Sequence, residues 1–336
     1  MKRKSIYFII FTLLMAVTLA TGAFAQTVSF QYSLGGSARY GLIDNDAPLL
    51  YSLIGSRLFI ADISNVSAPV EISTLALPGI GRRIAQHGDV LYITCTHGGL
   101  AAVDVSNPAK PSILSITTFD KTDAIGQTFG VAATNHMVYV ADYSGVFVVD
   151  MTNPAAPVKV GEFTAFDKEH PNPYDAYIDN NTLFISCEMD GLYIFDITVP
   201  TTLKKISHYP GQYYCALRDG DYLYIAAGGA GLDILNISNL ANPQFVSNLE
   251  NDYGGVLQLV KAGDYLYLCS EFEDFYKIDV SDPAHPKQVQ EFLLGGNHSL
   301  GISTTGNYVV LANSNYGIRI FDHRSTAIQQ VGEFLS

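Results

Sequence analysis

The residues with chemistry to offer are few and far apart along the chain. His298 adjoins Ser299, but no Gly-x-Ser-x-Gly turn surrounds them, so the pair lacks the elbow that exposes a nucleophile. The eight histidines show no His-Glu-x-x-His or other zinc spacing. His170 with Asp167, Glu169 and Asp175 is the densest metal-capable group, yet Pro171 and Pro173 make that stretch read as an exposed loop. Glu271-x-Glu273-Asp274 offers oxygen ligands of the kind calcium takes, without the twelve-residue loop of an EF-hand. No cofactor is expected, and calcium is the one ion for which the sequence supplies candidate ligands. The run Gly228-Gly229-Ala230-Gly231 precedes no helix and so cradles no phosphate.

One carboxylate does recur. Asp62, Asp104, Asp150, Asp196, Asp279 and Asp322, with Asn236 in the fifth place, stand 40 to 46 residues apart, each closing a short apolar run. Ahead of each lies an aromatic or aliphatic pair such as Leu91-Tyr92, Val138-Tyr139 or Leu266-Tyr267. A period this long, built from several β-type runs, belongs to propellers. Spread one per unit around a ring, these side chains cannot converge on a site. They are expected to bond nearby amides and so hold the turn after each third strand.

Turn chemistry divides each unit into four strands. Residues 212–249 show the pattern: an apolar stretch, the hairpin turn Asp219-Gly220-Asp221, strands at 222–227 and 232–237, the break Asn242-Pro243 and a last strand at 244–249. Strands such as 137–141 and 265–269 are apolar at nearly every position, which means burial on both faces. The expected fold is all-β: a seven-bladed β-propeller of four-stranded antiparallel blades. Ring closure has two solutions, because residues 27–32 and 328–335 both read as an outermost strand.

The segments at 100–108, 146–154, 192–196 and 275–283, in which an apolar run ends on Asp ahead of Val/Ile-Ser/Thr-Asn/Asp-Pro, resemble the LVIVD repeat family. The resemblance spans about residues 35–330 in seven copies and implies an extracytoplasmic β-propeller. The copies depart from the pattern at Asn236, Val199-Pro200, Val66 and His323-Arg324.

Composition limits the partners. With 32 acidic against 19 basic side chains the formal charge is −13, which argues against binding a nucleic-acid backbone. Lys2, Arg3 and Lys4 head an apolar run from Ile6 to Ala20, and Ala23-Phe24-Ala25 supplies the small residues of a cleavage site. Residues 1–25 are thus expected to be a signal peptide and 26–336 a single propeller domain, exported to the periplasm, cell surface or medium. No second apolar stretch is long enough to span a membrane. Loss of the leader removes three basic and no acidic groups, taking the charge to −16. Cys95, Cys187, Cys215 and Cys269 are expected to be free and buried, three of them in equivalent elements of different units.

Any site is expected where loops vary in length, at 119–127, 166–173, 250–255 and 269–274, on the face where first strands begin. That face reads as acidic, with Asp142, Asp167, Asp175, Glu188, Asp190 and Glu250 against Arg57, Arg82, Arg83, Lys121 and Lys168, a field suited to a cation or basic peptide. Residues opening the first strands should line the channel mouth: Tyr40, Arg82, Phe129, Tyr174, Asp175, Tyr213, Tyr214, Val256 and His298. Such a set could stack on a sugar or grip a peptide, or could simply plug the channel. Two functions follow. One is a non-catalytic binding propeller recognising a protein or glycan. The other is a hydrolase or lyase at the channel mouth, with His298, Tyr174, Asp175 and Arg82 as acid–base and anchoring groups.

Overall fold

The computed structural model describes residues 37–334 apart from 45, 120–126, 251–253, 271–273, 294–298, 315–316 and 325–327. The proposed leader and the strand-like segment 27–32 lie outside the described residues. Twenty-eight strands form seven antiparallel sheets, each made of four strands in chain order. The blades begin with first strands Ala38–Ile43, Ile80–His87, Thr128–Ala133, Pro173–Asp179, Cys215–Asp219, Val256–Ala262 and Ser299–Thr305. Hairpin turns predicted from Gly88, Gly220, Gly263, Gly306 and Asn180 hold these residues at φ between 50° and 58°, the left-handed region a tight turn needs.

The ring follows from burial. Seven apolar clusters lie between the blades, and each joins residues of two consecutive sheets. The last joins the seventh to the first: Val310, Ala312, Ile318 and Ile320 pack against Ala38, Leu50, Ile54 and Ala61. Sandwiched sheets must be apolar on both faces, which is why Val138–Ala141 and Leu183–Cys187 are buried throughout. Tyr51, Tyr92, Tyr139, Phe184, Tyr224 and Tyr267 occupy one equivalent second-strand position and are all nearly or fully buried. Full burial of such a ring contributes about 1.5–3 kcal/mol. The outer strand of blade 7 is Gln329–Phe334, so that blade takes its four strands from the C-terminal end of the chain.

The recurring Asp is a turn device in all seven blades. Its Oδ1 accepts the amide of the residue two positions on, from Ser64 to Asp62 (2.7 Å), through Ser106, Thr152, Thr198 and Ser281, to Arg324 at Asp322 (3.0 Å). Asn236 accepts from Ser238 at 3.0 Å in the same way, since the turn needs an acceptor oxygen and not a charge. Hydroxyl and amide donors hold the carboxyls of Asp62, Asp104, Asp150 and Asp196 below the usual range, and Arg324 helps bring Asp322 down to about 2.

Neighbouring blades are also latched at their outer edges. Each outer strand carries a β-bulge, and the residue beside it faces the loop before the next blade's outer strand. Ser73, Ser115, Ser207 and Ser247 donate there to the carbonyls of Pro108, Pro154, Leu240 and Pro283, at 2.5 to 2.7 Å. Gln290 meets both backbone groups of Ile328. At the ring closure the place belongs to Gly332, where a Cβ would lie 1.8 Å from the Val66 carbonyl oxygen.

Candidate functional site

Residues from all seven first strands bound a cavity of about 170 Å³ along the axis, among them Tyr40, Arg83, Val131, Asp175, Cys215, Gln258 and Ile302. Above it, where these strands begin, a shallow open bowl is lined by Arg39, Arg82, Arg83, Phe129, Tyr174 and Leu300. Arg83 alone lines both.

The bowl exists because the first strands are irregular at one point. Register against the second strand skips one residue at Arg39, Arg82, Tyr174, Leu257 and Leu300. A bulge frees a side chain from the pleat and re-aims it. Four of the five skipped residues point into the bowl, and the residues that follow them (Tyr40, Arg83, Asp175) form a second ring beneath. The channel narrows at blade 3, where a Cβ on Gly130 would come 2.5 Å from Asp175 Cα. Glycine there lets two first strands close up.

The aromatic groups interlock around the rim. The Arg82 guanidinium lies 4.7 Å over the Phe129 ring, and Phe129 stacks on Tyr174 at 5.4 Å and 21°. Tyr174 meets Tyr214 edge to face at 5.2 Å, and the Tyr214 hydroxyl donates to Glu188 at 3.2 Å. Arg83 sits 5.4 Å over Tyr40. Phe129 and Tyr174 therefore stack on each other, and Phe129 is also engaged by the Arg82 guanidinium.

Charge is distributed differently from the sequence expectation. Arg39, Arg82 and Arg83 crowd one mouth, and the carboxylate paired with them is Asp175, 3.7 Å from Arg83. The Nε atoms of all three arginines are buried without a hydrogen-bond partner. Burial, and then the other two cations, push Arg82 down to about 10; burial and Arg83 also lower Arg39. Burial would lower Arg83 too, but Asp175, Tyr174 and Tyr40 carry it upward. Burial raises Asp175, against the pull of Arg83, and lifts Tyr40 to about 12.

The expected acidic field is thus corrected at the mouth. Several described acids of this face are engaged locally: Asp142 caps Ser144, Glu188 accepts from Asn172 and Tyr214, and Asp190 accepts from Tyr193 and the amides of Asp167 and Lys168. Asp167 pairs with His208 at 2.8 Å and with Lys205.

Of the residues expected at the mouth, Arg82, Phe129 and Tyr174 line the bowl, Tyr40 and Asp175 the cavity beneath, and Tyr214 the rim. Tyr213 does not. Its ring is buried between blades 4 and 5, stacked on Tyr209, with its hydroxyl on Asp233 at 2.9 Å. Val256 likewise packs between blades 5 and 6. His298, Glu271 and Glu273 lie outside the described residues, and Asp274 opens the third strand of blade 6. Among the described residues no group of three or more His, Cys, Asp or Glu is placed to hold a metal ion. Sequence reading assigns Arg39, Arg83 and Leu300 no place in the channel. The signal was the doubled polar positions Arg39-Tyr40, Arg82-Arg83 and Tyr174-Asp175, where a regular strand would bury one of each pair. All four cysteines are free and buried; burial pushes Cys95 and Cys269 up to about 12 and Cys187 and Cys215 well above the usual thiol range.

The sequence model of the LVIVD repeat matches residues 51–76, 78–118, 125–165, 219–250 and 255–293, more than half of the chain. No curated protein matches it. Among solved structures, the computationally designed Ika8 protein aligns with a TM-score of 0.61 at 7% identity, over 86% of this chain and 98% of that one. The periplasmic gluconolactonase PpgL of Pseudomonas aeruginosa aligns with a TM-score of 0.68 at 11% identity, over 82% of this chain and 88% of that one. At such identities the likeness is one of fold.

Proposed function

Given that the chain belongs to the LVIVD repeat family, we propose that it is an exported, non-catalytic binding propeller whose channel mouth takes hold of a glycan or a protein. The observation that carries this reading is the set of three buried, partly unsatisfied guanidiniums gathered at one concave mouth on a rigid ring. A scaffold does not need them there, because desolvating each cation costs free energy that a ligand can return. Export is supported by the leader-like start of the sequence and the family resemblance.

The groups at the mouth suit binding better than proton transfer. Burial raises the pKa of Tyr40 and Tyr174, so both phenols stay protonated and neutral. Asp175, the acid that a hydrolase or lyase would use, lines the cavity below and faces Arg83. The Cys215 thiol beside it is pushed up by burial and by Asp175, which disfavours a thiolate nucleophile.

Glycan arrays and envelope extracts probed with the purified protein are expected to give a ligand whose affinity falls at least tenfold in Tyr214→Ala. Lys159→Ala, on the outer strand of blade 3, should bind as wild type. Unchanged binding in Tyr214→Ala would move the partner off the mouth and overturn the reading.

A further inference from the structure

We propose that the mouth seats the carboxylate of a sugar acid, free or at the end of a glycan, with Arg39 and Arg82 as its direct partners and Arg83 as the floor. The inference rests on the reading of the mouth as the binding seat and names what enters it.

Four observations carry it. The first is charge. Among the described residues lining the mouth and the cavity beneath it are three guanidiniums and one carboxylate, Asp175, a local surplus of cations in a chain whose formal charge is −13. An acidic chain that gathers its arginines at one concave point builds a local potential opposite to its own net charge. The second is the unmet hydrogen-bonding capacity. Nε of Arg39, Arg82 and Arg83 is buried without a partner, and Arg83 is 9% exposed. A carboxylate answers a guanidinium side-on, through two parallel N–H donors.

The third is the rim. The Phe129 ring is engaged by the Arg82 guanidinium at 4.7 Å and by Tyr174 at 5.4 Å, which holds Arg82 at the mouth and leaves less aromatic surface for stacking a neutral sugar. Among the described residues the guanidiniums enter from blades 1 and 2, with aromatic rings from blades 3 and 4 and Leu300 from blade 7. That arrangement suits a flat group with two acceptors.

The fourth is the sector beyond. Tyr214, Glu188, Gln212 and Asn172 form a hydrogen-bonding group on the same rim, and the buried Asn172 Oδ1 has no partner. Opposite a carboxylate seat, such a group is suited to hydroxyls.

Titration calorimetry of the purified protein with glucuronate, galacturonate, glucose, acetate and inorganic phosphate tests this. A uronate is expected to bind at least tenfold more tightly than glucose, acetate or phosphate, with affinity falling as salt rises. Arg82→Gln and Arg39→Gln should each weaken uronate at least tenfold while melting near the wild-type temperature, and Arg82→Lys should recover part of the loss. A disaccharide ending in the uronic acid that binds more tightly than the monosaccharide identifies a glycan end; equal affinity identifies the free acid. Glucose or phosphate binding as well as uronate, or uronate affinity unchanged in both glutamine variants, overturns the proposal. If no uronate binds while Tyr214→Ala still abolishes capture of another ligand, the carboxylate falls and the seat stands. If both experiments are negative, both fall.

Discussion

Gly332→Ala is expected to destabilise the protein by about 3 kcal/mol, the upper end of what overpacking costs, and to do so through the ring closure alone. The added Cβ would sit 1.8 Å from the Val66 carbonyl oxygen, a backbone atom that cannot swing aside. In four other blades the same bulge position holds a serine whose hydroxyl donates to the neighbouring loop, in blade 6 it holds Gln290, and in blade 3 it holds Gly161. Ser115→Ala is the matched comparison: it removes a bond without adding volume and should cost about 1 kcal/mol. Urea unfolding of both variants checks the contrast. Equal stabilities would mean that blade 7 does not close on blade 1 as tightly as the structure has it.

Removing Asp175 is expected to have the second large effect. Its carboxylate is the acid paired with the crowded arginines, and the Asp175 and Arg83 side chains are 13% and 10% exposed. Taking away one partner of a buried pair leaves an uncompensated charge, at a cost of about 3–5 kcal/mol. The 3.7 Å separation places Asp175→Ala toward the lower end of that range. Arg83→Met combined with Asp175→Ala should recover most of the loss, because no unpaired charge then remains at the floor. A double-mutant cycle by urea unfolding measures the coupling. Additive losses would show that the two side chains do not act as a pair.

The sequence made the ring legible because each blade repeats the same local solutions: left-handed residues at the hairpins, an Asx acceptor after the third strand and an apolar second strand buried on both faces. These depend on near neighbours in sequence, and seven copies reinforce one another. The mouth was less legible because it depends on register. Whether Tyr213 or Tyr214 reaches the rim is decided by which of two adjacent residues the strand turns outward, and Tyr213 goes to Asp233 in the core. Arg39 and Arg83 enter the channel through bulges, which no local pattern in a single strand announces. Net charge misled for a different reason. A formal charge of −13 counts carboxylates wherever they lie, whereas Glu188, Asp190 and Asp167 are engaged by side chains and amides beside them and Arg39, Arg82 and Arg83 meet at the axis with buried donors unused.

The positive mouth is the claim on which the functional account turns, and a bromide soak of crystals of the protein, read by anomalous diffraction, addresses it most directly. The account predicts a bromide between Arg39 and Arg82 that disappears in Arg82→Gln. A mouth that collects a cation, or that stays free of bromide while other surfaces take it up, would contradict the account.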